Sequence, residues 1–345
     1  MKKVLALILV LAMCFGLLAC GAEPEATKPA AGNDTQPAAT EPAVESDKKT
    51  YKVGLSFALA DIGQTILREE AKKYLEENTE LDIEVVTTVS EGSSEKQMSD
   101  VEDLIAKQCD LIYILVNDTQ AIIPAVEACK DAGIICGVGS PLETDAMDFV
   151  FLSFDSKIPG QMQADWFIDY VNKNPGTYNI GHVSGTSTNS GAVDRLNGFK
   201  DTIMAANLPG VTWAIEQDCG YTTELAQSTV EGWMLSHPEV NVLVCANDEM
   251  CLGALNAVRA AGREGEIMFL SIDGNPTILP EVAAGAVDMT VKLNAAIIGQ
   301  GIAAACIDAL QGDLVLQEGS KNTMNPLNPF GLVDATTIDD YWPEE

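Results

Sequence analysis

The sequence predicts an α/β protein of two similar halves, each built on a parallel sheet. Three observations carry this expectation. Short, almost continuously apolar runs alternate with amphipathic stretches along the chain, which is the pattern of strands covered on both faces and linked by helical crossovers. The folded part, from about residue 51 to residue 345, is large for one hydrophobic core and comfortable for two. Finally, residues 99–118 (SDVEDLIAKQCDLIYILVND) are echoed by residues 228–248 (STVEGWMLSHPEVNVLVCAND). In both, a helix carrying Val-Glu leads into an apolar strand that ends in Asn-Asp.

In chain order, strands are expected over residues 52–59, 83–88, 111–116, 134–138 and 150–154. A second set follows over residues 179–183, 211–216, 240–245, 267–272 and 287–292. Each run is rich in Val, Ile and Leu and is bounded by Gly, Pro, Asn, Asp or Ser. Helices are expected over residues 64–78, 95–107, 121–132 and 249–261, where apolar residues recur at helical spacing.

The first fifty residues are of a different kind. Met1-Lys2-Lys3 precedes an apolar run from Val4 to Ala19, a basic region followed by an apolar one, as in a secretory signal. About twenty apolar residues also match a bilayer span, but the run ends in Leu17-Leu18-Ala19-Cys20-Gly21. That motif resembles the bacterial lipobox, which implies cleavage after residue 19 and a lipid on Cys20. Residues 20–50 repeat Ala, Pro, Glu, Thr and Asp without apolar periodicity and are expected to be a disordered tether. A chain held this way would sit outside the cytoplasm on the cell membrane.

Charge and cysteine usage exclude several partners. The chain has 20 basic and 51 acidic residues and a net charge of −31. Loss of residues 1–19 removes two lysines and leaves −33. Such a surface repels nucleic acid and anionic headgroups. Beyond Cys14 and Cys20, seven cysteines remain: Cys109, Cys129, Cys136, Cys219, Cys245, Cys251 and Cys306. Their number is odd, no C-x-x-C pair occurs, and most lie in apolar stretches, so free thiols acting as small apolar residues are expected. His182 and His237 fit no metal or triad pattern. Residues 184–191 lack the Gly-Lys-Ser/Thr ending of a phosphate loop. No catalytic residue, metal or cofactor is expected.

Open parallel sheets bind ligands beyond the carboxyl ends of their strands, and two lobes facing each other make a cleft there. The residues at these ends are polar: Asp61 and Gln64, Asn117-Asp118, Ser140, Arg195 in the helix after residues 179–183, Tyr221, Asn247-Asp248, Asp273 and Asn294. Carboxylates accept from paired hydroxyls, Asn amides donate and accept, Arg offers a fork of donors, and an aromatic face covers ring C–H groups. Asp118 and Asp248 are read as helix caps. Asn247, Asp273, Arg195, Asp61, Gln64, Ser140, Tyr221 and Asn294 are the candidate ligand residues for a small polar molecule of sugar type.

Several segments resemble the sugar-type, type I periplasmic binding proteins of ABC importers, the group containing the ribose- and galactose-binding proteins. Asn247-Asp248-Glu249-Met250-Cys251-Leu252-Gly253-Ala254-Leu255 is similar to that family's NDEMALGAL segment. Ser271-Ile272-Asp273-Gly274-Asn275-Pro276 resembles its strand ending in Asp-Gly-x-Pro. Arg195-Leu196-Asn197-Gly198-Phe199 resembles its R-x-x-G-F helix, although the ligand Arg also occurs earlier, where this chain has Val193. Residues 336–342 look like its C-terminal segment. The resemblance implies two Rossmann-like lobes with parallel sheets joined by a three-segment hinge, with crossings near residues 154, 293 and 323. The lobes would be residues 51–154 plus 294–322 and residues 155–293 plus 323–345. It also implies a monomer that closes on its ligand and docks on an ABC permease.

The first lobe departs from the family. Asp61-Ile62-Gly63-Gln64-Thr65 holds no aromatic, and Ser140-Pro141 stands where Asp-Arg is usual. The departure points away from ribose or glucose in the usual pose. Another sugar, a polyol or another small polar molecule fits equally well. The alternative function is a binding protein that presents a sugar-like molecule or quorum signal to a membrane receptor.

Overall fold

The computed structural model describes residues 49–151, 155–318, 320–323 and 329–341. The expected signal, Cys20 and residues 20–48 of the expected tether lie outside the described residues. Thr50, expected in the tether, opens the first strand.

The first sheet has the order β2-β1-β3-β4-β5 and is parallel throughout. Its strands are β1 (Thr50–Phe57), β2 (Asp82–Val89), β3 (Leu111–Leu115), β4 (Ile135–Val138) and β5 (Phe149–Val150). Helices α1 (Ile62–Glu76), α2 (Ser94–Ala106) and α3 (Ile123–Asp131) are its crossovers. Alternation along β1 shows why the run is continuously apolar. Val53, Leu55 and Phe57 enter the core shared with α1, while Gly54 faces Leu104, Cys109 and Ile112 on the other side. The strand expected over residues 150–154 begins at Phe149, and residues 152–154 lie outside the described residues.

The second sheet has the order β11-β10-β9-β8-β6-β7. It comprises β6 (Tyr178–Ser184), β7 (Val211–Asp218), β8 (Val242–Cys245), β9 (Met268–Asp273), β10 (Met289–Leu293) and β11 (Phe330–Asp334). Helices α4 (Lys157–Lys173), α5 (Ser190–Ala206), α6 (Thr223–Ser236), α7 (Asp248–Ala260) and the short α8 (Leu279–Ala283) flank it. Reading from β7, the order β7-β6-β8-β9-β10 repeats β2-β1-β3-β4-β5. The echoed segments are therefore equivalent units, α2–β3 and α6–β8. The eleventh strand, β11, pairs antiparallel with β10 and was not expected. Its run is short and is separated from β10 by the long segment 294–329, so no hairpin turn announces the pairing.

After β10 the chain passes into α9 (Ala295–Gln311), which packs along α1 of the first lobe. Asn322 then bridges to Val150 before β11 returns to the second sheet. Two helix pairs frame the interior, α1 with α9 and α4 with α5. Glycines admit the close approach in the second pair. A Cβ at Gly198 would strike the Lys157 carbonyl, and one at Gly160 would strike that of Arg195. This explains the R-x-x-G-F spacing: the glycine admits the neighbouring helix, Phe199 is fully buried, and Arg195 lies one turn earlier on α5.

All seven cysteines of the described residues are free and buried, as the apolar runs around them predicted. His182 is also a core residue. It stacks on Trp213 at 5.6 Å and pairs through Nδ1 with the Ser184 hydroxyl at 2.8 Å. Burial pulls its pKa down to about 4.

Candidate functional site

A cavity of about 180 Å³ lies beyond the carboxyl ends of both sheets, where the two sets of loops meet. Its size, below the usual range for drug-sized sites, matches a ligand of one small ring. Asp61, Gln64, Ser140, Arg195, Tyr221, Asn247 and Asp273 all line it. Asn294 does not. Its side chain accepts from the Ile297 N–H at 3.2 Å and caps α9, while its neighbours Leu293 and Ala295 face the cavity.

The second lobe supplies the densest polar wall. The Arg195 guanidinium donates to the Ala246 carbonyl at 2.8 Å and pairs with the Asp273 carboxylate at 3.4 Å. Both side chains are nearly buried, at 14% and 16% exposure. Burial pushes the Asp273 carboxyl well above the usual carboxylate range, and the Arg195 charge opposes that shift. Asp273 has φ +114°, a backbone region rarely held by a side chain other than glycine's hydrogen, and Gly274 follows at φ +62°. Gly274 is held in place as its N–H donates to the Thr290 hydroxyl and its carbonyl accepts from Lys292. The strained turn aims the carboxylate into the cavity instead of along the sheet. Tyr221 also has a left-handed backbone, φ +60°, and burial keeps its hydroxyl protonated.

Asn247 lines the cavity as expected and also takes the capping role expected of Asp248. Asn247 is the cap: its amide oxygen accepts from the Met250 N–H at 3.0 Å. Its amide nitrogen donates to Glu249 at 2.9 Å, so it lines the cavity and caps α7 at once. Asp248 is not a cap. It is fully buried and accepts from the Ser271 hydroxyl at 2.6 Å, the Thr290 hydroxyl at 2.9 Å and the Asn275 N–H at 2.7 Å. It thereby ties β9, β10 and the Asn275 turn together beneath the site. Desolvation pushes its carboxyl up to about 7 despite these donors. In the first lobe, Asp118 is not a helix cap either: it accepts from the Gln120 and Ala121 N–H groups and closes a turn, while α3 starts after Ile122 without a side-chain cap.

On the first-lobe side, two acceptor atoms are engaged by the backbone. Asp61 caps α1, accepting from the Gln64 N–H at 2.7 Å, and burial raises its pKa. The Gln64 amide oxygen turns back to the Leu59 N–H at 2.9 Å.

Sequence reasoning missed three residues. Asn275, 4% exposed, lines the cavity and donates to Glu249 at 3.2 Å. Glu249 itself braces both asparagines. Asn189 caps α5 and also donates to the Val116 and Asn117 carbonyls at 2.9 and 3.2 Å, a direct link between the lobes. Its signal was present as an Asn just before the Ser190-Gly191 helix start. Among the described residues no group of three or more His, Cys, Asp and Glu could hold a metal, and no helix is long and apolar enough to cross a membrane.

Known proteins place this arrangement. Residues 54–314 match the family model described as a periplasmic binding protein domain. The ribose import binding protein RbsB of Bacillus subtilis is 28% identical over 316 residues, covering 91% of this chain and 95% of that protein. A solute-binding protein of an ABC transporter from Bacillus halodurans, solved with bound myo-inositol, superimposes with a TM-score of 0.74. It shares 22% identity and covers 86% of this chain and 99% of that one. The fructose-binding periplasmic domain of a hybrid two-component system also superimposes at 0.74, with 21% identity, covering 85% of this chain and 93% of that one. The chain belongs to the periplasmic binding protein family, whose members bind solutes outside the cytoplasm.

Proposed function

We propose that this protein captures a compact polyhydroxylated ligand, a sugar or polyol, in the cavity between its lobes and delivers it to an ABC importer. The observation that carries this reading is the grouping of Arg195, Asp273, Asn247 and Asn275 around one small cavity. A donor fork, a carboxylate and two amides suit vicinal hydroxyls on a single ring. The ribose of one relative and the myo-inositol held by one structural neighbour are both ligands of this kind. The protein acts by binding and release, without catalysis, and works as a monomer.

In this reading residues 51–154 plus 294–322 form one body, and residues 155–293 plus 323–345 the other. They turn about crossings near residues 154, 293 and 323. A ligand touching both bodies favours the closed form by its extra contacts there. Titration calorimetry with a panel of pentoses, hexoses and inositols tests the assignment. Micromolar or tighter binding of at least one is expected, and no heat from any would sink it.

The lipid on Cys20 is part of the same proposal. It rests on Leu17-Leu18-Ala19-Cys20-Gly21. Cys20→Ala should move the protein from the membrane fraction to the soluble one on fractionation; continued sedimentation with membranes would remove the anchor. A second reading, presentation of the ligand to a membrane receptor, is favoured by the likeness to the fructose-binding periplasmic domain of a hybrid two-component system. Deleting the cognate permease separates the two, since uptake would stop while any ligand response would persist.

A further inference from the structure

We propose that the part of the cavity entering the first lobe is a subsite for an aliphatic substituent on the ligand: a deoxy carbon, an O-methyl group or a short alkyl chain. This deepens the polyhydroxylated-ligand reading and rests on it. Leu67 of α1, Leu115 of β3, Leu293 at the end of β10, and Ile298 and Ile302 of α9 line this part. They come from four separate elements, so the apolar lining is a built chamber and not one helix face. Gly139 and Ser140 line the cavity nearby with little or no side chain, which leaves the chamber open to the site.

Several acceptor and donor atoms at the edge of the chamber are engaged by the protein's own backbone. The Asp61 carboxylate and the Gln64 amide oxygen accept backbone N–H groups, and the buried Tyr113 hydroxyl points to the Phe151 carbonyl at 3.5 Å. A ligand hydroxyl pushed among these leucines and isoleucines would give up its water without gaining a strong partner. A methyl group there would lose nothing and would fill space that a close-packed interior does not otherwise leave. The ligand's hydroxyls would lie toward Arg195, Asn247, Asp273 and Asn275, and its unhydroxylated end toward Ile298 and Ile302. Ligands of this class are deoxy sugars, O-methylated polyols and alkyl glycosides of one ring.

The test uses the detergent-solubilised full chain and calorimetry with matched pairs: D-ribose with 5-deoxy-D-ribose, D-galactose with D-fucose, and myo-inositol with its mono-O-methyl ethers. In at least one pair the deoxy or O-methyl member should bind about tenfold tighter or more, the scale of one group in an apolar pocket. Ile298→Phe, which fills the chamber, should abolish that preference while retaining the parent compound. Should that variant fail to fold, Tyr113→Phe supplies the check, since it should leave the preference unchanged. Parent compounds binding as well or better in every pair that binds would overturn the subsite and leave the polyhydroxyl reading intact. A tenfold loss of the deoxy member in Tyr113→Phe would also overturn it, because the hydroxyl would then be a ligand contact. Binding by no member of any pair would overturn both readings.

Discussion

The two lobes use one strand order, β2-β1-β3-β4-β5 in the first and β7-β6-β8-β9-β10 in the second, yet they present different walls to the cavity. The equivalent strands β3 and β8 both end before Asn-Asp. In the second lobe Asn247 faces the cavity and Asp248 is locked beneath it by three donors. In the first lobe Asn117 turns away, donating to Gly92 and Ser94, and Asp118 caps a turn. The second lobe thus spends buried hydrogen bonds on orienting polar groups toward a ligand. The first lobe offers leucines and isoleucines beside Asp61, Gln64 and Ser140. The same topology therefore sets where a ligand lies, while the strand-end residues set which part of it each lobe recognises.

Arg195→Ala should break this contrast most severely. It removes the donor fork and leaves Asp273 unpaired in a nearly buried setting. Breaking such a pair costs roughly 3–5 kcal/mol, and ligand affinity should fall at least a hundredfold by calorimetry. Ser140→Ala, on the first-lobe wall, should change affinity less than tenfold. Equal losses would mean that the two walls contribute alike.

Gly198→Ala should come next. The added Cβ meets the Lys157 carbonyl, so α4 and α5 must separate. A loss of about 1–3 kcal/mol in urea denaturation is expected, as for other overpacked interiors. Affinity should fall with it, because Arg195 rides on α5. An unchanged urea midpoint would show that the helix pair has slack.

Two buried groups of the second lobe make opposite pH slopes. Asp248, pushed up to about 7 in the folded protein, binds a proton there that the unfolded chain releases near pH 4. Its contribution is full below that pH and is lost as pH rises through 7. His182, pulled down to about 4, binds its proton more readily when unfolded. Its contribution is full above about pH 6.5 and is lost as pH falls toward 4. Between about pH 4 and 6.5 the two oppose each other. Asp248→Asn should expose the histidine, so that stability drops with falling pH relative to the parent protein. His182→Gln should expose the carboxylate, giving a relative drop with rising pH. Each difference should approach about 1.4 kcal/mol per pH unit in urea midpoints measured from pH 4.5 to 7.5. Parallel curves for parent and variants would remove both assignments.

The smallest expected effect concerns the link between the lobes. Asn189→Ala deletes donations to the Val116 and Asn117 carbonyls. Hydrogen bonds of this kind contribute about 1 kcal/mol net, so affinity should weaken about fivefold, mostly through faster release. Small-angle scattering should show a more open ligand-free protein. An unchanged release rate would mean that closure is set elsewhere.

Much of this molecule was legible along the chain. Alternating apolar runs and amphipathic helices located ten of the eleven strands among the described residues, and the echo of residues 99–118 in 228–248 marked equivalent units of the two lobes. The strand-end reading named Arg195, Asn247 and Asp273, which the fold brings together. These features are local: periodicity, turn residues and strand ends can be read within a few residues. What the tertiary structure decided depends on distant partners. It made Asn247 the cap and Asp248 the buried tie, because Ser271 and Thr290 arrive from other strands. It assigned Asn294 to capping α9, brought Asn275 and Asn189 to the site, and added β11 by antiparallel pairing across the chain. It also carried the cavity into the first lobe, since a space bounded by Leu67, Leu115 and Ile298 exists only where α1, β3 and α9 converge.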